Sequence, residues 1–149
     1  IPCNLYGRFD KFDSDNSHLL AAIIHKIHQA KNENIKKVAI WGDGLARREF
    51  MYAGDLAEAI IKSINSFDEI PKYMNIGLGE DFTVNEYYQE AAKVIGFNGG
   101  FIHDKTKPVG MSRKLVNVDL QTNWGWKPKI SLKEGLQKTY KFYLNEINK

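Results

Sequence analysis

The side chains in this chain best suited to chemistry are one histidine, a strand-ending asparagine, and several cations near a tryptophan. His18 follows Asn16-Ser17 at the start of a predicted helix. Its imidazole titrates near neutral pH and can give or take a proton there, although the same position suits a capping or solvent-facing histidine. Asn4-Leu5-Tyr6-Gly7 closes the first predicted strand, the end at which open α/β sheets place ligands; a plain strand exit turning at Gly7 fits equally well. Arg47-Arg48-Glu49 sets charges inside an otherwise apolar extended run, as ligand-facing cations or as an edge ion pair of little energetic weight. Lys26 falls on the polar side of the first helix, compatible with a solvated face. Trp41 ends an apolar strand, where packing in the core competes with a ligand-facing role. Arg113-Lys114 adds two cations in a late loop. His25, His28 and His103 lack such context and read as surface or structural residues. No metal site is expected.

The elements that must carry these groups follow from apolar spacing and capping. Leu19, Ile23 and Ile27 recur every four residues after the Asn16-Ser17 cap candidates, predicting a helix. Val38 to Trp41 predicts a strand, Gly42-Asp43-Gly44 a turn, and Arg48 to Tyr52 a second extended run. Asp55 reads as a helix cap before Leu56, Ile60 and Ile64. Tyr73 to Gly79 is expected to be a short strand ending in glycines. Thr83 to Glu86 matches a capping box opening a helix to about Ile95, and Ser131 to Glu134 matches a second one, with a helix to near Asn145. Phe101 to His103 suggests a strand, Leu120 to Trp124 a helical turn, and Tyr140, Tyr143 and Ile147 a packing stripe. Strands alternating with helices define an α/β chain.

Bulk properties exclude several classes. With 149 residues, 43% of them apolar, the chain can build one real core. A net charge of +3 without a dominant basic run argues against nucleic-acid binding. No apolar stretch reaches the ~18 residues that would cross a bilayer, and no signal peptide is evident, so no membrane partner is expected. The lone Cys3 permits no internal disulfide and fits a reducing, cytoplasmic setting. The chain starts Ile1-Pro2-Cys3-Asn4 on what reads as the end of a buried strand, so an upstream segment is expected, together with an exposed apolar face that it would cover.

In order and spacing, Pro2, Asn4-Leu5-Tyr6-Gly7, Asn16-Ser17-His18, Trp41-Gly42, Arg47-Arg48-Glu49-Phe50, Asp55-Leu56-Ala57, Asn75-Ile76-Gly77, Lys107-Pro108, Arg113-Lys114, Gly125-Trp126 and Ser131-Leu132 resemble the C-terminal half of the GDP-L-fucose synthase family, within the extended short-chain dehydrogenase/reductases. The resemblance spans essentially residues 1–149. It implies the C-terminal part of a Rossmann-type fold, mainly the small substrate-binding domain plus the last Rossmann elements, with the N-terminal NADP-binding portion outside this chain. It implies an NADPH-dependent epimerase/reductase acting on a GDP-4-keto-6-deoxy-hexose. The glycine loop and the family's catalytic Ser, Tyr and Lys precede the stretch present here, as does its epimerisation cysteine, which Cys3 does not match. This stretch alone is therefore expected to bind rather than to turn over. Members are commonly dimers, so a homodimer through the full-length protein is compatible.

The same resemblance implies His18 as the acid/base at carbon, beside the cofactor. Pro2, Cys3, Asn4 and Leu5 would line the nicotinamide end of the NADP site. Lys26, Trp41, Arg48, Arg113 and Lys114 would hold the nucleotide sugar. Cys3 stands where the family commonly has threonine, and Lys26 replaces its usual arginine, trading a bidentate phosphate contact for a point charge. Val109 replaces an aspartate and Met111-Ser112 replaces Thr-Pro, departures expected near the sugar that point to altered sugar specificity or to neutral drift. Asp55 matches a family aspartate but suits a cap better than a catalyst. Two alternatives stay open: a reductase or epimerase of another nucleotide sugar, such as a GDP-deoxyheptose, and a non-catalytic nucleotide-sugar-binding module.

Overall fold

In a computed structural model of the chain, residues 1–13 and 17–147 are described. The elements run β1 (Asn4–Tyr6), α1 (Leu19–Asn32), β2 (Lys37–Trp41), β3 (Arg47–Arg48), β4 (Phe50–Tyr52), α2 (Ala53–Asn65), a 3-10 turn (Phe67–Glu69), β5 (Phe82–Thr83), α3 (Val84–Ile95), β6 (Gly100–Asp104), β7 (Arg113–Lys114), α4 (Asp119–Asn123) and α5 (Leu132–Ile147). The strands form three small groups: β1 parallel to β4, β2 parallel to β6, and a mixed sheet in the order β5-β3-β7. Strands alternating with helices confirm the α/β class.

Local chemistry explains the helices. Thr83 Oγ1 accepts from Glu86 N at 3.1 Å and Glu86 Oε2 accepts from Thr83 N at 2.6 Å, the reciprocal capping box that starts α3. The helix stops at Gly96, whose φ of 72° is the left-handed cap glycine tolerates. Ser131 Oγ accepts from Glu134 N at 3.3 Å at the start of α5. In β2, Val38 and Ile40 point inward while Lys37, Ala39 and Trp41 point out, the two-residue period of a half-buried strand. Leu20, Ile23, Ile24 and Ile27 of α1 pack with Tyr87, Ala91 and Ile95 of α3 and with Leu136 and Tyr143 of α5. A second cluster joins Cys3, Met51, Ala59, Met74, Ile76 and Trp126.

Several expectations change. Residues 73–79 form no strand: only Pro2 bridges Ile76, and the N–H groups of Gly77, Leu78 and Gly79 donate to the side chains of Gln121 and Glu49 instead of to a neighbouring strand. Asp55 does not cap α2, whose N-cap is Tyr52; 1% exposed, its Oδ2 accepts from Ile130 N at 3.1 Å and ties the start of α2 to the approach to α5. His18 itself is the N-cap of α1, without a side-chain cap bond, and Ser17 Oγ donates to Asp13 O. Asn16 lies outside the described residues. Tyr140 and Tyr143 pack as expected, whereas Ile147 is exposed. An apolar face is also open: Ile60, Ile61 and Ile64 of α2 are exposed, with Phe67, Tyr73 and Ile1. Among the described residues no helix is long and apolar enough to cross a membrane.

Candidate functional site

Two clefts share one wall. The first, about 540 Å³, opens at the end of β1 and is lined by Asn4, Leu5, Asp10, His18, Arg48 and Lys114, with Cys3 beneath. The second, about 340 Å³, is lined by Lys26, Trp41, Arg48, Tyr88, Pro108 and Val109. Arg48 and Leu19 belong to both.

The strand register explains why the first cleft is cationic. Asn4 opens β1, and its Nδ2 donates to the carbonyl of Glu49, just before β4, at 2.9 Å, leaving Oδ1 to accept from Lys114 Nζ at 3.3 Å. Arg48 pairs with Lys114 across β3 and β7, so the two side chains stand next to each other on one face. His18 enters from the first residue before α1, exposed to the cleft. Asp10 lies in the same wall and interacts electrostatically with His18; burial raises its carboxyl, which the Lys11 N–H and His18 pull back down. Burial, then the charge of Glu49, push the Cys3 thiol up to about 11, which keeps it protonated near neutral pH, and its Sγ donates to Asn4 O at 3.3 Å.

In the second cleft Trp41 is 56% exposed, which decides against core packing. Two ammonium groups sit over its indole, Lys26 Nζ at 5.0 Å and Lys107 Nζ at 5.4 Å from the ring centre. Partial burial lowers the Lys26 ammonium below its ordinary value. Two cations on one exposed ring, with Arg48 beside them, suit a ligand that is flat at one end and anionic at the other. Gly42 has a φ of 72°, and a Cβ there would lie 2.7 Å from Val109 Cγ2. Only glycine lets Val109 close against the Trp41 strand.

Most of the residues proposed from sequence converge on these clefts, and two do not. Cys3, Asn4, Leu5, His18, Arg48 and Lys114 line the first and Lys26, Trp41 and Arg48 the second. Pro2 lines a different, apolar groove with Ile60, Ile70 and Tyr73. Arg113 lines neither cleft, because strand alternation turns it to the opposite face from Lys114, where its Nε donates to Asp81. Val109 lies beside Trp41 and not in the His18 cleft, and Met111 borders neither. His25 meets Tyr143 Oη at 3.0 Å, His28 meets Tyr140 Oη at 3.0 Å, and His103 meets Asn85 at 2.9 Å, all outside the clefts. Asp10 carries no signal in the sequence, and Lys107 stood out only within the Lys107-Pro108 motif, without a ligand role of its own. Lys107-Pro108 does follow a strand whose register with β2 pairs Trp41 with Asp104, the one signal that could have placed it. No group of three metal-ligating side chains occurs among the described residues.

Comparison with known proteins gives this geometry its class. Residues 1–77 match the NAD dependent epimerase/dehydratase family, and the chain belongs to that family. Within it the chain is GDP-L-fucose synthase-like. It is 52% identical over 148 residues to a GDP-L-colitose synthase of Yersinia pseudotuberculosis, covering 99% of this chain and 48% of that protein. It is 50% identical to a GDP-L-fucose synthase of Azorhizobium caulinodans, with the same coverages. A solved GDP-mannoheptose C4 reductase from Campylobacter jejuni with NADP bound superposes with a TM-score of 0.82 at 29% identity, over 96% of this chain and 51% of that one. A GDP-6-OMe-4-keto-L-xylo-heptose reductase from C. jejuni gives 0.87 at 28%, over 97% and 53%. The chain thus spans about half the length of the relatives it matches.

Proposed function

We propose that this chain supplies the sugar-nucleotide-binding portion of an NADPH-dependent epimerase/reductase whose substrate is a GDP-4-keto-6-deoxy-hexose. The observation that carries this is the convergence of His18, Asn4, Arg48 and Lys114 on one cleft that shares Arg48 with the Lys26–Trp41 cleft. A nucleotide sugar laid across the shared wall puts its guanine on Trp41, its diphosphate against Lys26, Arg48 and Lys114, and its sugar before His18.

A ketone acidifies the C–H bonds beside it. His18 takes a proton from one face of such a carbon, leaving an enolate; solvent delivers a proton to the opposite face, inverting the centre, and His18 releases its own proton to solvent. Asn4, Leu5 and Cys3, at the strand end, fit the amide-bearing end of a nicotinamide: Asn4 offers a polar side chain and Leu5 an apolar surface in the same wall. When bound, that cofactor supplies hydride to the carbonyl carbon. On this reading the phosphate-gripping glycine loop is carried by another part of the full-length protein.

The test uses the full-length protein with NADPH and GDP-4-keto-6-deoxymannose in D2O. Expected are NADPH oxidation and solvent deuterium at the two carbons inverted, C3 and C5; His18→Gln abolishes the deuterium while leaving nucleotide binding intact. No NADPH oxidation, or product with both centres unchanged, defeats the proposal. A second reading, a reductase or epimerase of another GDP-sugar such as a deoxyheptose, is favoured by Val109 beside Trp41 and by the names of the superposing heptose reductases. A substrate panel varying sugar and base separates the two.

A further inference from the structure

We infer that Asp81 is a positioning residue for anion recognition, bracing from behind the two strands whose front cations, Arg48 and Lys114, face the ligand cleft. The inference rests on the nucleotide-sugar reading only for the identity of the anion.

The sheet makes the division of labour necessary. Arg47 pairs with Arg113 and Arg48 with Lys114 across β3 and β7. Side chains alternate along a strand, so the four cations separate into two pairs on opposite faces. On the back, Asp81 lies between both guanidiniums: its Oδ1 accepts from Arg47 Nε at 2.7 Å, its backbone carbonyl from Arg47 Nη2 at 2.6 Å, and its Oδ2 from Arg113 Nε. The Asp81 side chain is 2% exposed and that of Arg113 59%, so the carboxylate is enclosed by its partners and reaches neither cleft. Arg47 also lies 3.9 Å from Glu86, the capping-box residue of α3. Asp81 therefore joins both strands, and Arg47 carries the link on to the start of α3.

On the front, neither Arg48 nor Lys114 has an ion pair among the described residues, the carboxylate of Asp10 lining the same cleft without bridging them. Arg48 and Lys114 are neighbours of like charge, a pairing that opposes strand association when directly opposite. Each donates to a neutral oxygen and not to a carboxylate: Arg48 Nη1 to Arg47 O at 2.7 Å and Lys114 Nζ to Asn4 Oδ1 at 3.3 Å. An anion seated between them removes the repulsion. The rear carboxylate holds the pair together until it arrives. Pre-setting two cations at a fixed spacing is the kind of remote positioning whose loss weakens binding without removing any contact with the ligand.

The experiment measures GDP and inorganic pyrophosphate binding to the full chain by calorimetry at 10 °C, with folding verified by circular dichroism. The variants are Asp81→Asn, Arg113→Gln, Arg113→Lys and the double Asp81→Asn/Arg113→Gln. Asp81→Asn is expected to weaken both anions about ten- to a hundred-fold. Arg113→Gln should do so several-fold, Arg113→Lys should not rescue it, and the double variant should be no worse than Asp81→Asn alone. If Arg113 touched the ligand itself, its loss would add fully to that of Asp81 and lysine would rescue, and the inference would fall. It falls equally if Asp81→Asn lowers the melting temperature yet leaves affinity within two-fold of wild type. Should Asp81→Asn not fold, Arg113→Gln decides: unchanged affinity overturns the inference, and loss without lysine rescue supports it. GDP binding no tighter than pyrophosphate, with the variant pattern intact, defeats the nucleotide reading and leaves the positioning role standing. Wild type that binds neither anion overturns the subsite itself.

Discussion

The two clefts that meet at Arg48 are built on different principles. The Trp41 cleft is assembled from side chains already engaged with one another: two lysines over one indole, and Val109 against Gly42. The His18 cleft is assembled from strand ends, and its histidine has no side-chain cap bond. A binding surface gains from groups preset against each other, whereas a proton-transfer group must be free to approach a carbon that only the substrate brings. On the proposed function the difference makes affinity and chemistry separable, and mutations should separate them.

The largest expected effect is on chemistry alone. His18→Gln in the full-length protein should slow epimerisation about 10³-fold, the scale of a lost acid/base, while the GDP dissociation constant measured by calorimetry stays within two-fold. Comparable losses in both would merge the clefts and break the contrast. Arg48→Ala, at the shared wall, should weaken GDP about a hundred-fold, the scale of a lost charge-assisted bidentate contact. Trp41→Ala should cost affinity about ten-fold, and it should leave hydride transfer rates from saturated substrate unchanged.

Smaller effects sharpen the picture. Gly42→Ala adds a left-handed strain and a clash with Val109, so chemical denaturation should show a loss of about 1–2 kcal/mol. GDP affinity should drop with it, because the 108–109 segment moves away from Trp41. His28 serves as the control outside both clefts. Burial first, then His25 and Lys31, lower its imidazole, so the folded protein binds its proton less readily than the unfolded chain does. The stabilising contribution is therefore present above about pH 6.5 and is lost as pH falls through the lowered folded value. His28→Phe should flatten that acid-side slope in melting experiments and leave GDP affinity untouched.

Where local rules operate, the fold was readable from residues. The capping box at Thr83 and Glu86, the four-residue spacing of Leu19, Ile23 and Ile27, and the alternation in Val38 to Trp41 each encode their element directly. Residues 73–79 misled because glycines and apolar residues fit a strand, while Glu49 and Gln121, distant in sequence, take the hydrogen bonds a ladder would need. The site was half readable. Motif order brought His18, Asn4 and Arg48 together, but Arg113 and Lys114 were assigned alike because β7 was not foreseen. Once those residues are a strand, only one of two neighbours can face the cleft. Asp81 escaped notice because Gly79-Glu80-Asp81 looks like a solvated turn, and nothing local announces two arginines converging from 34 and 32 residues away.

Arg48 lines both chambers, so on the proposed reading what fills one bears on what fills the other. Whichever occupant arrives first sets the direction in which the Arg48 fork points, and the next one meets a partition already fixed. A molecule long enough to reach into both sides settles that orientation once. Two separate fragments must compete for it, so severing a ligand at its middle forfeits more grip than its lost atoms alone would account for.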